Sequence, residues 1–167
     1  MCVNVSIVPC PNYEPDTARK ALAAVLEPLG GLDWVKPGMK IAVKANLVAR
    51  MKPETAAATH PALVTELCRM LTERGAEVVV GDSPGGPFTA AWVGSVYTGT
   101  GMRAVEAAGA QLNSDYSTCE VSFPEGNTVK SFPYTAWLEK ADAVIDFAKL
   151  KTHAMAGMTC AVKNFFG

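Results

Sequence analysis

Apolar and polar positions fall in blocks along this chain, and the period changes from block to block. Val3, Val5 and Ile7 alternate with small or polar residues, so Val3–Val8 reads as a first strand, stopped by Pro9 and Pro11. Ala18, Leu22, Val25, Leu26 and Leu29 have helical spacing, with Asp16 as candidate N-cap and Gly30-Gly31 as terminator. Lys36-Pro37-Gly38 reads as a turn, and Met39–Val43 as a short buried strand. Thr59 or His60 caps a second helix with Pro61 at its first position. Leu63, Val64, Leu67 and Leu71 form the apolar face of that helix, and Gly75 ends it. Glu77–Val80 is a β-branched strand. Gly101–Ala108 reads as a short helix and Ala110–Leu112 as a brief strand. Glu120–Phe132 reads as a hairpin centred on Glu125-Gly126-Asn127. Tyr134–Lys140 supplies one or two helical turns, and Asp142–Phe147 is the last core strand.

Strands alternating with helices at these spacings predict one α/β domain over residues 1–167. Its architecture is three-layer, a mostly parallel sheet with crossover helices and an added β-hairpin. Ligands of such sheets sit beyond the carboxyl ends of the strands. Three polar loops therefore converge at one edge. Lys44, Asn46, Arg50, Lys52, Thr55, Thr59 and His60 follow the second expected strand. Asp82, Ser83 and the glycines follow the third. Lys149, Lys151, Thr152 and His153 follow the last. If extension continues through the final group, Lys149, Lys151 and His153 share one side. Two readings stand for this concentration of cations: an anionic ligand, or a solvated strand end.

Bulk properties narrow the field. With 49% hydrophobic and 19% charged residues the chain is of globular type. A net charge of −1 argues against general nucleic-acid or anionic-membrane binding, so any electropositive site is local. Ser83–Met102 lacks charge, but its prolines, glycines and hydroxyl residues make it a loop with short helical pieces rather than a membrane span. Cys2, Cys10, Cys68, Cys119 and Cys160 are scattered and form no Cys-x-x-Cys pair. Scattered thiols and the lack of a signal-peptide pattern point to a cytoplasmic setting. No metal site and no cofactor are expected in this stretch.

Individual motifs carry paired readings. In Gly81-Asp82-Ser83-Pro84-Gly85-Gly86 the glycines bring backbone N–H groups near an oxyanion or simply make a sharp turn. The spacing matches no nucleotide fingerprint. Asp82 orients a lysine or caps a turn. His60 precedes Pro61, where helix capping competes with ligand contact. His153 and Lys151 are candidates for proton transfer. Lys44 leaves a buried strand beside Asn46 and needs an anion, either from a ligand or from the protein, with Asp146 or Asp82 as structural partner. Lys163 and Asn164 are set into the apolar stretch Ala154–Gly167. Met155, Met158, Val162, Phe165 and Phe166 make that stretch a candidate contact for a homo-oligomer.

Several stretches then occur together in order. They are Lys44-Ala45-Asn46-Leu47-Val48, Lys52-Pro53-Glu54-Thr55 with Thr59-His60-Pro61, Gly81-Asp82-Ser83-Pro84-Gly85-Gly86, and Lys149-Leu150-Lys151-Thr152-His153. Gly157-Met158-Thr159 and Ala161-Val162-Lys163-Asn164 follow. Over Lys40–Gly167 this combination resembles the domain of unknown function 362 family, often described as iron–sulfur-cluster-binding proteins. Members usually have Pro where this chain has Ala45 and Gly where it has Cys160. The resemblance implies an N-terminal lobe of a longer architecture, with 4Fe-4S clusters in longer relatives rather than here. It supplies no agreed reaction.

Two functions follow as expectations. One is a small-anion-binding lobe of a redox-linked, iron–sulfur-associated protein. Its catalytic candidates are Lys151 and His153. Its ligand-binding candidates are Lys44, Asn46, Thr59, His60, Asp82, Ser83, Gly85, Gly86, Lys149, Thr152, Lys163 and Asn164. The other is a non-catalytic scaffold that packs against a second half or a partner chain. A concave, cation-lined pocket favours the first, and a flat face beside exposed apolar surface favours the second.

Overall fold

The computed structural model describes residues 4–166. Four strands form a wholly parallel sheet: β1 (Lys40–Ala45), β2 (Glu77–Gly81), β3 (Gln111–Leu112) and β6 (Ala143–Phe147), in the order β3-β2-β1-β6. Lys44 of β1 lies in register with Gly81 on one side and Asp146 on the other. Helices α1 (Pro15–Leu26), α2 (Pro61–Thr72) and α3 (Ala90–Gly99) accompany the sheet. A 3₁₀ segment, Met102–Ala108, packs on α2. The expected hairpin is present as antiparallel β4 (Thr118–Ser122) and β5 (Ser131–Thr135). A second hairpin pairs β7 (Lys151–His153) with β8 (Gly157–Thr159), and a single turn, α4 (Ala161–Asn164), follows.

Strand alternation distributes β1 between two layers. Ile41, Val43 and Ala45 join Val78 and Val80 in the main core, with Leu22, Val64, Leu67, Leu71, Val96 and Met102. On the other face, Ala42 lies under Trp137 and Leu138 of the 3₁₀ segment Ala136–Lys140. That second cover is thin, and Val144 remains exposed. No helix among the described residues is long and apolar enough to cross a membrane.

Several local expectations differ from the structure. The strand over Val3–Val8 is absent among its described residues, and its first residue, Val3, lies outside them. Val5 and Ile7 are 77% and 90% exposed. The row alternates, but no sheet edge receives it, and alternation without a partner does not make a strand. Helix α1 starts at Pro15 with Glu14 as N-cap, so Asp16 sits in the first turn, where its charge favours the helix dipole. Helix α3 is a continuous ten-residue helix where a loop with short pieces is expected, capped by Thr89 accepting from the Trp92 N–H. Its length comes from the core, into which Val93, Val96 and Tyr97 are packed.

Candidate functional site

The loop after β1 is the first wall of the site, and it is held in an unusual conformation. Val48 and Ala56 both have positive φ, 61° and 54°. For the β-branched Val48 this is a strained conformation that the surroundings must enforce. The enforcement is visible. The Asn46 N–H donates to Thr59 Oγ1 at 3.0 Å, and the Thr59 N–H donates back to Asn46 O at 2.8 Å. Thr59 Oγ1 donates onward to the Phe147 carbonyl at the end of β6 (2.8 Å), and the Gly85 N–H donates to Val48 O (2.8 Å). All three expected loops are therefore tied together at the carboxyl edge of the sheet.

Beneath them lies a saturated floor. Lys44 is 2% exposed and forms a buried ion pair with Asp82 Oδ1. Its ammonium also donates to the carbonyls of Asn164 (3.0 Å) and, more weakly, Ala45 (3.5 Å). An ammonium has three donors, and all three are occupied within the protein. Asp82 accepts further from the N–H groups of Leu47 (2.6 Å) and Ser83 (2.8 Å). Buried Asn164 gives Nδ2 to Asp146 Oδ1 at 2.6 Å and to the Lys44 and Ala45 carbonyls at 3.3 Å each. Its Oδ1 accepts from Asn46 Nδ2 at 3.0 Å.

Above the floor a cavity of about 370 Å³ opens between Asn46, Val48, Asp82, Ser83, Pro84, Gly85, Gly86, Lys151, His153, Thr159 and Lys163. Lys151 donates to Asn46 Oδ1 (2.5 Å) and to the Ala57 carbonyl (2.7 Å), which leaves one N–H unassigned. Burial holds its ammonium below the usual lysine value of 10.5. Lys149 and Lys163 act in the same direction, and Asp82 opposes them. Lys163 is in no ion pair among the described residues. The Nδ1 of His153 accepts from the N–H groups of Met155 (3.2 Å) and Ala156 (3.1 Å), so in the neutral ring the proton sits on Nε2. Since Asp82 and Lys44 cancel, the lining carries the uncompensated charge of Lys151 and Lys163. Such a lining suits a small anion with several acceptors.

The remaining sequence candidates lie elsewhere. Lys149 and His60 line a separate hollow of about 260 Å³ with Tyr13, Pro53, Glu54 and Ala58. His60 stacks on Tyr13, with ring centroids 3.5 Å apart, and its Nδ1 accepts the Ala62 N–H as the N-cap of α2. Burial and the nearby Lys149 push its imidazole below 6.5, with Glu54 opposing. Lys149 parts from Lys151 and His153 because residues 148–150 belong to no strand, so the two-residue period does not carry across them. Thr152, in the middle of β7, is exposed, while Thr59 and Asn164 are buried supports. Another hollow, about 430 Å³, crosses the amino ends of the strands beside Trp137, but its Lys140 and Asp115 are paired with each other.

Sequence reasoning did not find Val48, the Ala57 carbonyl, Pro84 or Thr159. Positive φ at a valine and a lysine held by a backbone carbonyl leave no mark in residue type. It also passed over Asp146 except as a partner for Lys44. Burial raises the Asp146 carboxyl above 3.8, against the Asn164 hydrogen bond and Lys44, and its Oδ2 has no partner among the described residues.

Among the described residues the free cysteines sit apart, on separate elements. Cys10 lies in the N-terminal segment, Cys68 in α2, Cys119 in β4 and Cys160 before α4, and burial pushes the Cys68 thiol up to about 12. Cys2 lies outside the described residues. Among the described residues no three His, Cys, Asp or Glu side chains gather as a metal site.

A family model described as Domain of unknown function (DUF362) matches residues 41–167. Thylakoid-associated protein sll1697 of Synechocystis sp. (strain ATCC 27184 / PCC 6803 / Kazusa) is 32% identical over 170 residues. The match covers all of this chain and 51% of that protein, so the chain spans about half the relative's length. No solved structure matches.

Proposed function

The chain belongs to the domain of unknown function 362 family, and from that premise we propose that it is a small-anion-binding lobe. One observation carries the reading: a concave cavity keeps the ammonium groups of Lys151 and Lys163 without a carboxylate partner, above a floor in which Lys44 is neutralised by Asp82. Ser83, the Gly86 backbone and His153 add donors around the same space. His153 is the proton-transfer candidate, since its Nδ1 is occupied by two backbone groups and Nε2 is left for a ligand. The redox and iron–sulfur association, and the role as the N-terminal lobe of a longer protein, rest on family resemblance. The scattered free thiols support a reducing, cytoplasmic setting.

The test is titration of the protein with sulfate, inorganic phosphate and succinate, followed through the backbone amides of Val48 and Gly86. Saturable shifts that vanish in Lys163→Ala and Lys151→Ala are expected. Unchanged shifts for all three anions overturn the reading.

A second reading is favoured by the segment after β7. Met155 is 92% exposed, Phe166 77%, and Met158, Val162 and Phe165 are also bare. The two phenylalanines alone expose on the order of 250 Å². With the other three the segment approaches the ~800 Å² that one partner gives a standard interface. We infer that a second copy of this chain covers it, which makes the lobe a scaffold as well as a binding unit. Sedimentation at micromolar concentration is expected to show a dimer that Phe166→Ser dissociates. A monomeric wild type over that range overturns this inference.

A further inference from the structure

A chain of side chains runs from the cavity to Asp146 on β6. Lys151 Nζ donates to Asn46 Oδ1 at 2.5 Å. Asn46 Nδ2 donates to Asn164 Oδ1 at 3.0 Å. Asn164 Nδ2 donates to Asp146 Oδ1 at 2.6 Å. These four residues come from β7, the loop after β1, α4 and β6, and 105 and 118 positions separate the first two bonded pairs. The direction of the chain is dictated by its first member. An ammonium only donates, so Asn46 must present its oxygen to Lys151 and its NH₂ to the next residue. Asn164 must then accept through its oxygen and donate through its nitrogen. The last member has to be an acceptor, and a carboxylate is the strongest one available. Either amide turned the other way would face donor to donor or acceptor to acceptor.

We propose that Asp146 is a positioning residue for Lys151, acting through Asn164 and Asn46 as a one-directional hydrogen-bond relay that sets the ammonium's availability to the bound anion. The inference rests on the anion-site reading for its consequence, not for its geometry. Polarised hydrogen bonds in series strengthen one another where water is kept out. The negative end at Asp146 is therefore felt at Lys151 without an ion pair occupying the cavity. A carboxylate placed directly against Lys151 would neutralise the group that the ligand needs. Two interposed amides orient it and leave its charge exposed to the pocket. Asp146 is well placed to modulate this arrangement because, among the described residues, only Oδ1 is engaged, while Oδ2 is buried without a partner. Lys44 and Asp82 are the other charged groups that act on Asp146. Lys149, Lys163 and Asp82 act on Lys151.

The test on the unaltered chain follows the side-chain NH₂ signals of Asn46 and Asn164 by NMR across the titration of Asp146. One shared midpoint for both amides is expected. A flat Asn46, or two separate midpoints, overturns the relay. Trace acetylation of Lys151 with acetic anhydride at fixed, mildly alkaline pH, read by mass spectrometry against exposed Lys20, supplies the second arm. Asp146→Asn is expected to raise Lys151 labelling about three- to ten-fold, equivalent to half to one pKa unit. Asn46→Ala is expected to raise it at least as much. The double variant should label no faster than Asn46→Ala alone, because removing the near link disconnects the far one. Additive effects, or wild-type labelling in Asp146→Asn, overturn the relay, since a merely structural role predicts one or the other. Sulfate affinity is measured alongside and should fall in both variants. A wild type that takes up no sulfate, phosphate or succinate counts against the anion site alone, and the amide midpoints and labelling rates then decide the relay by themselves.

Discussion

Lys44 at the end of β1 and Lys151 at the start of β7 meet at the same site and have opposite fates. Lys44 is enclosed with Asp82, and every donor it has ends on protein. Lys151 is half-buried, and neither of its two acceptors carries a charge. The contrast is between a floor lysine neutralised by a buried carboxylate and a rim lysine that meets only uncharged acceptors. A buried charge without a partner is costly, so the floor must be complete before the rim can be stable. The rim sits at the cavity wall, where water or a ligand can solvate the charge the protein leaves open. Residue type alone does not separate the enclosed lysine from the partly open one here. Their hydrogen-bond accounting does.

The comparison breaks most visibly from the floor. Lys44→Met strands the Asp82 carboxylate in the core and is expected to cost about 3–5 kcal/mol, the usual penalty for removing one member of a buried pair. Urea unfolding measures it, and a loss below 1 kcal/mol would show that the floor is not the support described. A smaller effect is expected at Gly86, whose φ is 109° and where a Cβ would meet Trp92 Nε1 at 2.7 Å. The Trp92 indole Nε1–H donates to the Gly85 carbonyl at 2.7 Å. Gly86→Ala should therefore cost about 1–3 kcal/mol through backbone strain and loss of that bond. Its tryptophan fluorescence should change with it, and unchanged fluorescence and stability would remove Gly86 from the wall.

The rim is expected to respond in the opposite sense. Lys163→Ala should leave stability within about 0.5 kcal/mol, as for other surface changes, while weakening sulfate binding about ten-fold. An equal loss of stability would place Lys163 with the floor. The smallest effect is in pH. Lys151 has a folded-state value below its unfolded one, so between the two values the unfolded chain holds more protons and stability rises with pH. Binding of sulfate, whose own charge is constant over this range, runs the other way. It should weaken as pH rises through the lowered Lys151 value, before 10.5 is reached. Affinity that is level up to 10.5 would place Lys151 outside the binding set.

Much of this architecture was legible without coordinates. Period-2 and period-3.6 blocks separated by Gly and Pro determine the order of strands and helices around β1, β2 and β6. The rule that parallel sheets present their loops at the carboxyl edge then gathers Lys44, Asp82 and Lys151 in one place. Failures came where a segment's state depends on a distant partner. The alternating Val5 and Ile7 find no strand to pair with, and α3 is completed by the core it enters. What the tertiary structure alone decided is which polar groups are already satisfied. Lys44 and Asn164 meet across 120 positions, and Lys44 and Asp82 across 38. Local pattern carries no record of such pairings, because a hydrogen bond is a property of two places at once. Composition could therefore supply the charges at this edge, and only the folded chain could divide them into those paired within the protein and those without a charged partner at the cavity.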